Sequence, residues 1–160
     1  MQQMPPMRQT WDNSAGVNGD AADADLAGKI VLAIEDEPAV CQVMKNVLED
    51  FGCVVHCSAS GRDALDYAAR VRPHVILLDL MLPEMDGGLI GKALYGRYGP
   101  AVPIIIVSAA EKVRIDALAA EVHAFARIRK PFDLDQLVAS VRSGVNEAEQ
   151  RRRSPEAMSG

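Results

Sequence analysis

The chain has 160 residues, 49% of them hydrophobic, and a formal net charge of −5. That length supports one domain with a real core rather than two, and the acidic balance argues against direct binding of duplex nucleic acid. No stretch approaches the length of a membrane span and no secretory signal is present, so a cytoplasmic location is expected.

Residues 1–27 are polar, rich in Gln, Asn, Asp, Ala, Gly and Pro, and lack apolar periodicity; they read as a disordered tail in which the only tryptophan, Trp11, is incidental. Ordered structure is expected over residues 28–147. It opens with Lys29-Ile30-Val31-Leu32-Ala33-Ile34, a short apolar run that ends in Glu35-Asp36-Glu37. Pro38 suits the first turn of a helix, and Val40, Val43, Met44, Val47, Leu48 and Phe51 recur at helical spacing as far as Gly52. Residues 53–57 read as a second strand, and Ser60-Gly61 opens a second helix.

The three cysteines, Cys41, Cys53 and Cys57, are an odd set without a CxxC pair and are expected to be reduced thiols, mostly buried. In an extended chain 53 and 57 share a face and His56 takes the other, which argues against a metal site there. His56, His74 and His123 all read as structural.

Val75-Ile76-Leu77-Leu78-Asp79 lies between Pro73 and Pro83 and reads as a strand buried on both faces that stops at a carboxylate. A third helix follows Asp86-Gly87-Gly88 and breaks at Gly99-Pro100. Pro103-Ile104-Ile105-Ile106-Val107 is a fourth strand leading into Ser108-Ala109-Ala110. A fourth helix is expected at roughly residues 111–120, and a fifth strand at about 123–128, stopping at Lys130-Pro131-Phe132. Asp133 suits the cap of a last helix that ends near Glu147, leaving 148–160 as a second disordered tail.

Five short apolar runs alternating with five helical patterns imply a doubly wound α/β domain with a parallel sheet. The carboxyl ends of its strands carry Glu35, Asp36, Asp79, Ser108 and Lys130, and chemistry in such sheets collects at those ends. Three carboxylates crowded at one mouth repel unless a cation separates them, and all-oxygen ligation suits Mg²⁺. With a lysine and a hydroxyl opposite, and backbone N–H groups near Ala109, the set favours a phosphoryl group over an organic substrate.

The chain resembles the receiver domain of two-component response regulators over residues 28–147. The resemblance is carried by Val31-Leu32-Ala33-Ile34-Glu35-Asp36-Glu37, Ile76-Leu77-Leu78-Asp79, Leu82-Pro83-Glu84-Met85-Asp86-Gly87, Val107-Ser108-Ala109 and Lys130-Pro131-Phe132. It implies a flavodoxin-like sheet of order 2-1-3-4-5 and a signalling protein rather than an enzyme with its own substrate. Asp79 would accept a phosphoryl group from a phosphohistidine on a sensor histidine kinase or histidine phosphotransfer protein. Asp36 and Asp79, with the backbone carbonyl of Met81, would bind Mg²⁺, and Glu35 would act through water. Ser108, Ala109 and Lys130 would hold the phosphoryl group, and the Lys130–Pro131 peptide would be cis. The surface of the fourth helix, fifth strand and fifth helix would serve a partner or a homodimer. The thirteen residues after Glu147 are too few for an output module, so a stand-alone switch is expected.

Arg127 stands where many receivers carry the aromatic residue of the output switch. It either reaches solvent, forms an ion pair that responds to phosphorylation, or yields the role to Phe125, which alternation places on the same side. Met81 and Ala110 flank the path of hydrolytic water in the family and cannot orient it, which implies slow loss of phosphate. Two other classes compete. A phosphohydrolase of the haloacid-dehalogenase type needs a second Asp where Met81 stands, and a DNA-binding regulator of which this is the receiver part would use Arg151-Arg152-Arg153 as a linker.

Overall fold

Aliphatic runs too short to make helices become the strands of one sheet. In the computed structural model, which describes residues 25–153, they are β1 (Ile30–Ile34), β2 (Val54–Ser58), β3 (Val75–Leu78), β4 (Ile104–Ser108) and β5 (Ala126–Arg129). They alternate with α1 (Pro38–Asp50), α2 (Gly61–Arg70), α3 (Gly87–Tyr98), α4 (Lys112–Val122) and α5 (Leu134–Arg153). Every adjacent pair is parallel and the order is β2-β1-β3-β4-β5, the doubly wound arrangement expected.

Alternation along the central strands splits the core into two layers. Val31, Ala33, Leu77 and Ile105 face α1 and α5, where they meet Met44, Leu48, Leu137 and Val141. Leu32, Ile34, Ile76 and Ile106 face α2, α3 and α4 and meet Ala64, Ile90, Leu94 and Ile115. Burying each large aliphatic side chain contributes about 1.5–3 kcal/mol, so these layers fix the strands that carry the polar ends. The helix starts are set locally. Ser60 Oγ accepts from Asp63 N–H (3.1 Å), Asp86 Oδ1 from Gly88 N–H (2.9 Å), and Asp133 Oδ1 from Asp135 N–H (3.2 Å). Gly87 lets the loop after β3 fold back: a Cβ there would lie 2.6 Å from the Asp79 carbonyl oxygen.

Four features depart from the sequence reading. Cys41 and Cys57 are not reduced thiols but are joined in a disulfide, and only Cys53 is a free, buried thiol. The alternation argument holds for strand direction: Cys57 reaches α1, whereas His56 pairs with Asp63 of α2 at 3.3 Å and stacks on Tyr67. β5 starts later than expected because His123 adopts a left-handed φ of 56°, ends α4 and stacks on Tyr95. The last helix runs on to Arg153, so residues 148–153 are helical rather than a disordered tail. Good helix formers carry that extension, Ala148 is buried, and Glu149 pairs with Lys29 beside β1 at 2.8 Å. At the other end Leu26 is buried in the core although it falls in the expected tail. Trp11 and residues 154–160 lie outside the described residues. Among the described residues no helix is long and apolar enough to cross a membrane.

His74 joins two strands at the edge opposite the polar ends. Its Nδ1 accepts the N–H of Ile30 at 2.9 Å, which requires the neutral ring. Burial, followed by the charges of Lys29 and Arg152, holds its pKa below the ordinary 6.5. A depressed folded-state pKa contributes stability that is complete above pH 6.5 and is lost as pH falls through the folded value. Urea unfolding should show that loss in the native chain. His74→Ala should abolish this part of the pH dependence while costing about 1 kcal/mol at neutral pH for the unpaired Ile30 N–H; an unchanged pH profile would refute the assignment.

Candidate functional site

The register of the sheet brings the ends of β1 and β3 side by side. Ile34 pairs with Leu78, so Glu35 and Asp79 leave adjacent strands at the same level. Glu35, Asp36 and Asp79 each offer a carboxylate oxygen, and these oxygens lie within 4.8 Å of one another. Glu35 and Asp79 are buried, at 2% and 4% exposure, while Asp36 is partly open.

Lys130 reaches this cluster from the end of β5. Its Nζ is 2.6 Å from Glu35 Oε1, 3.1 Å from Asp79 Oδ2 and 3.7 Å from Glu37 Oε1. Burial pulls the ammonium toward its neutral form, but the hydrogen bonds and charges of Glu35 and Asp79 outweigh it and hold Lys130 above the ordinary lysine value. Burial also raises Glu35 above the ordinary carboxyl value, against the hydrogen bonds from Lys130 and the Glu37 N–H. Apart from Nζ, Glu35 Oε1 meets no partner among the described residues. A buried carboxylate oxygen with spare capacity, beside two more carboxylates, fits a hard divalent cation.

The other expected residues sit around this cluster. Asp79 Oδ1 accepts from Met81 N–H at 3.1 Å, while the Met81 side chain is half exposed. Ser108 ends β4 between β3 and β5. It is fully buried, and its Oγ accepts from Ala110 N–H at 3.2 Å, whereas Ala109 is exposed. The Lys130–Pro131 peptide is cis, as expected. Ala110 is buried in the α2–α4 layer, which leaves Met81 as the more open of the two positions flanking the site.

Arg127 and Phe125 part company. Arg127 is half exposed and pairs with Asp116 of α4 at 3.2 Å. Phe125 precedes β5, so strand alternation does not govern it, and its ring lies beside Gly144 of α5 instead of sharing Arg127's partner. Sequence reasoning passed over Glu37, although it stands in the acidic run itself: its N–H donates to Glu35 Oε2 at 3.1 Å.

The response regulator receiver domain model matches residues 31–142. The chain belongs to that family. Among curated relatives, the receiver is 34% identical over 107 residues to the regulatory protein AtoC of Escherichia coli K12; the match covers 67% of this chain and 23% of that protein. This chain therefore spans only about a quarter of that relative. Among solved structures, a CheY-like receiver from Methanospirillum hungatei covers 78% of this chain and 99% of its own, with a TM-score of 0.74 at 22% identity. Chemotaxis protein CheY4 of Vibrio cholerae is 28% identical, with a TM-score of 0.68 and coverage of 73% and 98%. TrrA of Thermotoga maritima, solved in complex with Mg²⁺ and BeF, matches at a TM-score of 0.65 and 22% identity over 72% and 98%.

The geometry makes Lys130 the balancing charge for two buried carboxylates. Removing it in Lys130→Met should destabilise the metal-free receiver by about 3 kcal/mol at neutral pH. Adding Asp79→Asn to that variant should recover part of the loss. Urea melts decide it: if the double variant is no more stable than Lys130→Met, the two groups are not coupled.

Proposed function

We propose that this receiver is a Mg²⁺-dependent phosphorylation switch in which Asp79 takes a phosphoryl group from the phosphohistidine of a sensor kinase or phosphotransfer protein. The observation that carries it is the meeting of Asp79 Oδ2 and Lys130 Nζ at 3.1 Å beside the carboxylates of Glu35 and Asp36. The placement at the carboxyl edge of a parallel sheet agrees with the chemistry of the donor set, and the switch acts in the bacterial cytoplasm under this reading.

In the transfer, an Asp79 carboxylate oxygen attacks phosphorus and forms an O–P bond as the P–N bond to the donor imidazole breaks. The electron pair leaves with the imidazole nitrogen, which takes up a proton. Asp36, Asp79 and the Met81 carbonyl, with Glu35 through water, would hold a Mg²⁺ that supplies positive charge to the phosphoryl oxygens. Lys130, no longer facing a bare carboxylate, pairs with one phosphoryl oxygen. Ser108 gives up its turn with Ala110 and donates its hydroxyl to another, while the exposed Ala109 region offers a backbone N–H. Output is carried by the face of α4, β5 and α5, as contact to a downstream protein or a second receiver. Arg127–Asp116 on that face is the pair placed to respond, and Phe125 against α5 is a second candidate. Phosphorylation can shift this face only by its differential affinity for two arrangements of it.

Intact mass after incubation with Mg²⁺ and a small acyl phosphate tests the reading. One phosphoryl adduct is expected for the native chain and none for Asp79→Asn or when Mg²⁺ is chelated; an adduct on Asp79→Asn would overturn it. Phosphate loss should be slow because Met81 offers no hydrogen bond to water. Met81→Glu, at a half-exposed position that tolerates it, should shorten the lifetime of the adduct. Equal decay of the two would show that water is oriented by something else.

A further inference from the structure

Cys41 and Cys57 sit on the two pieces of chain that hold Glu35. On one side the Glu35 N–H donates to the Ser58 carbonyl at 2.9 Å, one residue after Cys57. On the other, Cys41 N–H donates to the Glu37 carbonyl at 3.1 Å, and Glu37 N–H donates to Glu35 Oε2 at 3.1 Å. The bond between the two sulfurs closes this path into a ring that contains Glu35. Glu37 gives α1 no side-chain cap, so little else pins its first turn. Both cysteines, with Glu35 and Asp36, also line an opening of about 480 Å³.

We propose that Cys41 and Cys57 form a reversible dithiol–disulfide site, reached by small thiols through this opening, whose oxidation state sets the affinity of the Glu35–Asp36–Asp79 cluster for Mg²⁺. The inference rests on the phosphoacceptor reading of that cluster. Exchange begins at Cys57 Sγ, the less buried of the two. A reductant thiolate bonds to it and expels Cys41 as a thiolate, which takes a proton. A second thiol of the reductant then displaces the Cys57 sulfur, so two electrons and two protons enter the receiver and the reductant leaves as its disulfide. Cys53 takes no part, because burial pushes its thiol up to about 11 and keeps it protonated. In the closed form the first turn of α1 and the end of β2 are held together and Glu35 is preset. In the open form only hydrogen bonds hold them.

The test compares the air-oxidised chain with the chain treated with dithiothreitol. Intact mass with thiol alkylation should show one alkylated cysteine before reduction under denaturing conditions and three after dithiothreitol, and oxidised glutathione should close the pair again. Calorimetric titration with Mg²⁺ should find the reduced form about tenfold weaker, the size of effect expected when a partner of a metal-site carboxylate is lost. The Cys41→Ser/Cys57→Ser double variant should match the reduced form under both conditions; if it does not fold, the reduced native chain alone decides. A bond that resists dithiothreitol in the folded receiver, or equal Mg²⁺ affinity in both forms, would overturn the proposal. If neither form binds Mg²⁺ or gains a phosphoryl group from an acyl phosphate, it is the phosphoacceptor reading that falls, and this inference with it.

Discussion

One ammonium group facing two buried carboxylates is the constraint on which the site depends. Glu35 and Asp79 are almost fully covered, and two like charges at that depth are tolerated only with a cation between them. Lys130 supplies that charge from a third strand. Its position is thereby coupled to whatever else neutralises the cluster. Any change in the charge of the cluster would therefore bear on the partners of Lys130 and on the end of β5.

Strand order explains why a lysine has this task. β5 is separated from β3 by β4, a span of about 10 Å at ordinary strand spacing, and only a long side chain returning from a turned-in loop covers it. The residue at the end of the intervening strand must then be small. Ser108 meets that requirement and adds a hydroxyl, at present folded into its own turn. The aliphatics of β4, Ile104 to Val107, all precede it and belong to the core layers.

Much of this was legible in the chain because the signals are local. An apolar run that stops at a charged residue marks both a buried strand and its polar end, so Glu35, Asp36, Asp79, Ser108 and Lys130 could be collected before any pairing was known. What escaped depends on contacts between distant residues. Cys41 and Cys57 become partners only when α1 lies on β2, and an odd cysteine count gave no hint of it. The final turns of α5 carry no strong apolar stripe and are held by helix propensity, by Ala148 and by the reach of Glu149 to Lys29. The fate of Phe125 turned on a strand boundary of one residue, since alternation gives direction only inside a strand.

The Lys29–Glu149 contact also says where the domain is held. It ties the entrance of β1 to the closing turns of α5, so the described chain arrives and departs at the same pole, on the far side of the sheet from the acidic cluster. A parallel strand is about 17 Å long from one pole to the other. Any covalent neighbour attached at either end is therefore anchored away from the acidic cluster. The mouth is left free of such a neighbour, and any change at the acidic cluster would have to cross the thickness of the domain to reach it.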